Sequence, residues 1–361
     1  MQIPELKVPM FDPASGIVIY GAGRTGKFVL QQCSNAGIPV RAMIDRNPGN
    51  GSNGVAFFQF PDVPAELKSL PTVVAVHGEV LNAWSSLVDA GFTNMYTMSQ
   101  FYLLLEHKYG RKLPNYACLG NSCGMDQAQN EILSAYDLWE DEISRQNFLN
   151  QLQYRRNGDI QYIQAPDPGL EYYPLNRPFQ FCCPVNFIDC GAFTGDTIGE
   201  LVKEMEFESI AAFEPDPETF KLLRDFLAVK KIPGKILTIQ AGVGESNQIL
   251  SFSSAQDGSA FGSGELNIPV FSLDSLFFAY RVDFIKMDIE GSESAALKGA
   301  AELIKRENPV LAISVYHKPE DLWELPLLIK KLYPASHLFL RTPRGSYHDT
   351  VCYAVPDRFL K

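Results

Sequence analysis

Two short apolar runs, each turning through a glycine loop into a helical stretch, restrict what this chain can fold into more than any other feature. Ile17-Val18-Ile19-Tyr20 leads into Gly21-Ala22-Gly23-Arg24-Thr25-Gly26 and a helical stretch from Lys27 to Asn35. Val185-Asn186-Phe187-Ile188 leads into Asp189-Cys190-Gly191-Ala192-Phe193-Thr194-Gly195 and a helix over Ile198 to Met205. Apolar and β-branched runs bounded by glycine read as strands, and strands that alternate with helices fold into a parallel sheet. One core rarely serves more than ~200 residues, so a chain of 361 residues with two such starts reads as two α/β domains.

The alternation continues in both halves. After the first loop, Val40 to Ile44 is a strand ending at Asp45. Thr72 to Val76 and Thr93 to Tyr96 are further strands, with a helix around Leu81 to Asp89. Ile132, Leu133, Tyr136, Trp139, Ile143, Phe148 and Leu152 recur at helical spacing among charges, which marks an amphipathic connector. Ala165 to Pro184, rich in proline and aromatics, reads as irregular chain packed against the domain that follows. There Ile210 to Phe213 is a strand ending in Glu214, and Glu218 to Val229 a helix. Ile236 to Gln240, Gln248 to Ser253, Val270-Phe271, Phe284 to Met287 and Leu311 to Val315 are strands, and Leu338 to Leu340 pairs with Cys352 to Val355 in a closing hairpin. The expected domains are 1–106, a connector 107–184, and 185–361.

Composition narrows the function classes. A 46% hydrophobic and 20% charged chain is a folded one, and a net charge of -11 argues against general binding to nucleic acid or anionic membrane. The seven cysteines (Cys33, Cys118, Cys123, Cys182, Cys183, Cys190 and Cys352) form no CxxC pair and read as reduced thiols of a cytoplasmic protein. Neither a signal peptide nor an apolar run of the ~20 residues a membrane helix needs is visible.

Three constellations in the second half carry chemistry. In the loop from Asp189 to Gly195, glycines let backbone approach a ligand closely, though an ordinary βα turn shows the same pattern. Glu214 then ends the next strand about 20 residues on, where an acid is placed to bind two ribose hydroxyls. Lys286-Met287-Asp288-Ile289-Glu290-Gly291-Ser292-Glu293 ends a later strand in carboxylates at the edge where open α/β sheets hold ligands. Glu290 and Glu293 also suit the start of a helix, where acids complement the macrodipole.

With these residues in place the chain resembles the FkbM family of methyltransferases. The matching stretches are FIDCGAFTGDT, AAFEPD, VFSLDSL, DFIKMDIEGSESAALKGA and LAISVYHKPEDLWELP, in that order over about the last half of the chain. The resemblance implies an α/β fold with a class I methyltransferase Rossmann-like sheet, beside a smaller N-terminal Rossmann-like domain. It also implies S-adenosylmethionine as donor and O-methylation of a sugar, glycan or secondary metabolite. It carries Asp189, Gly191, Ala192 and Gly195 to the cofactor loop, Glu214 and Pro215 to the ribose, and Ala241, Gly242 and Val243 to the adenine. Met287, Asp288 and His317 then lie beside the methyl group. His317 is the first candidate for a general base, because its ordinary pKa near ~6.5 suits proton acceptance. Its alternatives are a hydrogen-bonded residue that only shapes the pocket, or a ligand of a divalent metal with Asp288 and Glu290, and Asp288 is itself a second candidate for the base. Tyr316, Lys318 and Trp323 are placed to shape the acceptor site.

The first glycine loop poses a separate question. Gly21, Gly23 and Gly26, with Asp45 about 20 residues later, have the dinucleotide spacing. That half is also similar to nucleotide-sugar-binding N-terminal domains of some bacterial sugar-modifying enzymes. Nucleotide or nucleotide-sugar binding, NAD binding and an empty scaffold all stay open for it. An NAD-dependent oxidoreductase and a non-catalytic nucleotide-binding protein on a degenerate methyltransferase fold are the competing functions; the first leaves the second half's constellations unexplained, and intact Asp189, Gly191, Glu214 and Asp288 speak against the second.

Overall fold

The computed structural model describes residues 4, 5, 7, 11–47, 54–76, 79–110, 122–167, 169–230, 232–253, 260, 261, 266–343 and 349–361; Cys118 and the side chain of Cys123 lie outside them. The chain divides into two compact units. The first comprises Met1–Gln127, Leu149–Ala165 and Arg344–Tyr347, and the second Ala128–Phe148, Pro166–Pro343 and His348–Lys361. The residues expected as a connector are therefore shared between the two.

In the first unit, strands β1 (Ile17–Tyr20), β2 (Val40–Asp45), β3 (Ala56–Gln59), β4 (Thr72–Val74) and β5 (Met95–Thr97) form one sheet in the order β3-β2-β1-β4-β5. Every pair is parallel. The helices between them are α1 (Arg24–Ala36), α2 (Val80–Asp89) and α3 (Met98–Tyr109). Strand side chains alternate between faces. Thus Ile17 and Ile19 join Val29, Cys33 and Phe101 in one core, while Val18 and Tyr20 join Ile44, Val74 and Leu87 in the other. Both faces of β1 are covered, and the strand is apolar throughout for that reason. Thr97 and Gln100 start α3 with reciprocal side-chain-to-backbone bonds, and Gly110 ends it in the left-handed region.

Next come α4 (Ser122–Gln127), α5 (Gln129–Tyr136) and α6 (Glu142–Asn157). The second unit then adds a short hairpin, β6 (Gly169–Leu170) with β7 (Tyr173–Pro174), before its main βα run. That run begins β8 (Val185–Cys190), α7 (Asp196–Leu201), β9 (Phe207–Phe213), α8 (Pro217–Lys230) and β10 (Lys235–Ile239). A small second sheet follows, from β11 (Gly242–Val243), β12 (Gln248–Ser253), β13 (Ala260–Phe261) and β14 (Leu266–Phe271). The main run resumes with α9 (Leu273–Leu276), β15 (Phe284–Met287), α10 (Glu293–Lys298), α11 (Ala301–Glu307) and β16 (Val310–Ser314), and closes with α12 (Asp321–Leu332), β17 (His337–Arg341) and β18 (Val351–Val355).

The main sheet has seven strands in the order β10-β9-β8-β15-β16-β18-β17. All neighbours are parallel except β18, antiparallel to both β16 and β17, which is the closing hairpin expected from the sequence. After β8 the chain builds outward through β9 and β10, then returns to add β15 on the other flank of β8. The carboxyl ends of β8 and β15 therefore lead away from each other and leave a crevice, where open α/β sheets hold ligands. The proline- and aromatic-rich segment packs on this sheet, with Tyr172, Tyr173 and Phe179 buried among Phe187, Phe284 and Tyr353.

Candidate active site

At the end of β8 the chain must turn sharply without side chains in the way. Gly191 has φ +83°, and a Cβ there would stand 1.9 Å from the Asp288 carbonyl oxygen. The N–H groups of Gly191 and Ala192 both donate to the Phe213 carbonyl, at 3.1 and 2.8 Å. Gly195, at φ +89°, heads α7, and its Cβ would meet the Phe226 ring at 2.7 Å. Only glycine fits either place.

Glu214, just past β9, closes this loop. One carboxylate oxygen accepts from Phe193 N at 3.0 Å and the other from Asp216 N at 2.8 Å. The residue is 7% exposed, and burial pushes its pKa up to about 7 against the pull of those two N–H groups. Pro215 follows directly. Ala241, Gly242 and Val243, past β10, and Met287, at the end of β15, are all buried.

Asp189 does not face the crevice. It is wholly buried, directly opposite Lys286 on the neighbouring strand β15, and its Oδ1 lies 3.0 Å from the Lys286 ammonium. Lys286 Nζ also donates to the Gly191 carbonyl at 2.6 Å. Burial alone would lower the lysine's pKa, but Asp189 and Asp288 outweigh it and keep the ammonium charged. Asp189, carried to the cofactor loop by the resemblance, is therefore placed behind that loop and not in contact with a ligand.

Asp288 is the centre of a second group. Its Oδ2 accepts from the Tyr172 hydroxyl at 3.0 Å and its Oδ1 from the Tyr316 hydroxyl at 2.9 Å. His317 Nε2 lies 3.2 Å from the same Oδ1 and 3.9 Å from Glu290 Oε2. On the other side of the ring, Nδ1 is 3.0 Å from Glu293 Oε1, which also accepts from Ile289 N at 2.8 Å. Glu293 does begin α10, as its sequence position suggested, yet it is fully buried and its carboxylate serves His317.

The charges follow from this packing. Burial would lower the pKa of His317, but Glu293 and Asp288 flank the ring and raise it well above the ordinary histidine value. Burial would raise that of Asp288, yet His317, Lys286 and Tyr316 hold it well below the usual carboxylate range. An imidazolium has no lone pair with which to take a proton. The general-base role expected for His317 therefore does not follow from this geometry; the ring instead anchors Asp288. Asp288, Glu293 and His317 bring donor atoms within 4.8 Å of one another, as a metal site requires, whereas Glu290 is more exposed and its backbone sits at φ +53°.

Sequence reasoning missed Lys286 as a partner of Asp189 and Tyr172 as a partner of Asp288. Trp323, expected beside the acceptor, is 2% exposed within α12. Lys318, also expected there, donates to the Gly291 carbonyl.

The glycine loop of the first unit has comparable backbone geometry. Gly21 is at φ +98°, with its Cβ position 2.5 Å from the Ala75 carbonyl oxygen, and a Cβ on Gly26 would stand 1.7 Å from the Gly21 carbonyl oxygen. Gly23 precedes α1 and has nothing within 4 Å of its Cβ position. Asp45 accepts from Ala22 N at 2.7 Å and from Asn47 N at 2.9 Å. The structure thus brings Gly21, Gly23, Gly26 and Asp45 together.

Residues 189–342 match the family model described as the methyltransferase FkbM domain. A crystal structure of methyltransferase FkbM from Methylobacillus flagellatus KT is similar to this chain at 21% identity and a TM-score of 0.73, over 94% of this chain and 89% of that one. The likeness shows the fold, so the expected class I methyltransferase sheet is present. Aeropyrum pernix fibrillarin, solved with natively bound S-adenosyl-L-methionine, is more distant, at 10% identity, a TM-score of 0.33, and 50% and 70% of the two chains. No curated protein sequence matches this one. Among the described residues, no helix is long and apolar enough to cross a membrane. Residues 189–342 thus carry an FkbM methyltransferase domain.

Proposed function

We propose that this methyltransferase domain binds S-adenosylmethionine over the Gly191–Gly195 loop and transfers its methyl group to a hydroxyl of a sugar, glycan or secondary metabolite. The observation that carries the reading is Glu214. It stands at the carboxyl end of β9, tied by hydrogen bond to the very loop whose glycines leave the backbone bare. A carboxylate there suits the two hydroxyls of a ribose, since each oxygen keeps a lone pair beyond the N–H it already accepts. Ala241 to Val243, at the end of the next strand out, would hold the adenine.

Bound in that crevice, the cofactor supplies a methyl group on a positively charged sulfur. The chain's own residues then have three tasks. Asp288, held by the Tyr172 and Tyr316 hydroxyls beside His317, presents a fixed carboxylate that accepts a hydrogen bond from the acceptor hydroxyl, aims its oxygen and takes the proton that this oxygen sheds as it is methylated. Holding the two reactants in line supplies much of the rate for such a displacement. His317, with Asp288 3.2 Å from Nε2 and Glu293 3.0 Å from Nδ1, sets a positive charge beside that carboxylate and holds it in place.

Calorimetry with S-adenosylmethionine tests the assignment. Glu214→Ala should weaken binding by about 1–3 kcal/mol, because two hydroxyls lose their acceptor. Unchanged affinity in a folded variant would overturn it.

A second reading has its own observation. The carboxylate–histidine contact of Glu293 on Nδ1 leaves Nε2 facing Asp288 and Glu290, an arrangement that metal-bound histidines share. A divalent cation held there would polarise the acceptor hydroxyl. Manganese titrated into the protein and followed by its paramagnetic signal decides between the two: binding that His317→Ala abolishes favours the metal, and no binding at millimolar ion favours the metal-free site.

For the first unit we propose a nucleotide or nucleotide-sugar site, with the diphosphate on the Gly21–Gly26 loop at the start of α1 and Asp45 toward the ribose. Open space above Gly23 supports it.

A further inference from the structure

Lysine is almost never fully buried unless it is paired, because its ammonium loses so much hydration. Lys286 is 2% exposed in the middle of the sheet, between Asp189 on β8 and Ala312 on β16. Asp189 alone would neutralise it. Yet the ammonium also donates to the Gly191 carbonyl at 2.6 Å and sits 5.1 Å from the centroid of the Tyr172 ring, whose hydroxyl holds Asp288.

The contact with Gly191 matters because of what lies across the same peptide. The 191–192 peptide plane has its carbonyl on Lys286 and its N–H on the Phe213 carbonyl at 2.8 Å. Both ends of the plane are fixed. A glycine at positive φ has other conformations within easy reach, so a peptide held at one end only is free to flip. Such a flip would point the carbonyl toward the crevice and disturb the Phe193 N–H that Glu214 accepts.

We propose that Lys286 is a positioning residue: it locks the Gly191–Ala192 peptide in the conformation that accepts the cofactor and links that loop, through Tyr172, to the Asp288 carboxylate. The proposal rests on the S-adenosylmethionine reading of the site. It extends that reading to a residue that touches neither reactant.

The test compares a protein that loses the Asp189 carboxylate but keeps the Lys286 ammonium with one that loses both members of the buried pair. Asp189→Asn keeps the ammonium on Gly191. Asp189→Asn with Lys286→Met removes the ammonium as well. Thermal unfolding, amide hydrogen exchange over residues 191–195 and calorimetry with S-adenosylmethionine are measured on both. If Lys286 only neutralises Asp189, the double variant is at least as stable as Asp189→Asn and binds equally well. If it positions the loop, the double variant unfolds at a similar temperature but exchanges its loop amides at least tenfold faster and binds the cofactor at least tenfold more weakly. Equal loop exchange in the two proteins overturns the proposal. Hydrogen exchange needs no ligand, so a wild-type protein that fails to bind S-adenosylmethionine would sink the cofactor reading while the loop-locking role is still read. Should the double variant not fold, Lys286→Arg keeps the ion pair but replaces a compact ammonium with a planar head. Faster loop exchange supports the lock there, and wild-type exchange overturns it.

Discussion

The two units solve the same local problem with the same parts and then diverge. Each runs its first strand into a glycine loop, and each ends its second strand in an acid that accepts a backbone N–H from that loop: Asp45 from Ala22 at 2.7 Å, Glu214 from Phe193 at 3.0 Å. Beyond that point they differ. On the far flank of its first strand, the second unit places Lys286 behind the loop and Asp288 in front of it, with His317 and Glu293 in support. The matching strand of the first unit, β4, is Thr72-Val73-Val74 and runs into Ala75-Val76. Among the described residues it offers no charged group there. A glycine loop with an acid makes a place where a ligand can lie; a reaction needs the further charges. Among the described residues, those further charges stand at the loop of the second unit, a difference that the loops alone do not show.

The comparison can be broken most forcefully at the glycines. Gly191→Ala forces a Cβ against the Asp288 carbonyl in a backbone conformation that alanine avoids. It should cost about 3 kcal/mol or more and abolish cofactor binding. Gly23→Ala in the first unit adds its Cβ in open space at the head of α1 and should cost no more than about 1 kcal/mol. Denaturant unfolding of both variants checks the contrast; equal losses would show that the loops are built more alike than their surroundings indicate.

How much of this was legible in the sequence follows from the range over which each feature is encoded. The glycine loops and the acids at Asp45, Glu214 and Asp288 each follow an apolar run directly, so a local pattern reveals them. The pairing of Asp189 with Lys286 depends on the register between β8 and β15, strands far apart in the chain, and no local pattern carries that. Tyr172 reaches Asp288 from a segment without periodicity. Helix α12 was hidden by Pro326, which reads as a breaker but sits inside the helix, and β3 by the lack of alternation in Ala56-Phe57-Phe58-Gln59. A base role for His317 follows from its ordinary pKa, whereas two carboxylates brought in by the fold raise that pKa and favour the protonated ring.

A ligand for the first unit would sharpen the comparison from the other side. If the Gly21–Gly26 loop holds a diphosphate, UDP-glucose at 100 times its Kd should stabilise that unit by about 2.7 kcal/mol. Gly23→Val should remove the effect and leave binding of S-adenosylmethionine intact, because the two loops belong to separate units. Thermal unfolding with UDP-glucose, ADP and NAD distinguishes the possibilities. Stabilisation by NAD alone would favour a dinucleotide site, and none by any of the three would leave the unit a scaffold.

The smallest expected effect comes from pH and reads Glu214 directly. Its pKa in the folded protein is pushed up to about 7, above the ~4.3 of an exposed glutamate. For stability the sign is that of a raised group: its contribution is fully present below the unfolded value and is lost as pH rises through 7. For binding the sign is opposite, because ribose hydroxyls donate to the carboxylate and the proton competes with them. A group with a pKa of about 7 is ~9% ionised at pH 6 and ~91% at pH 8, so affinity for S-adenosylmethionine should rise about tenfold between them. Glu214→Gln, which cannot ionise, should bind more weakly at pH 8 and lose most of that pH dependence. Calorimetry at the two pH values on both proteins measures it. A wild-type affinity that is flat across this range, with binding otherwise strong, would mean that Glu214 does not carry the ribose, and the likeness between the two loops would then be one of architecture alone.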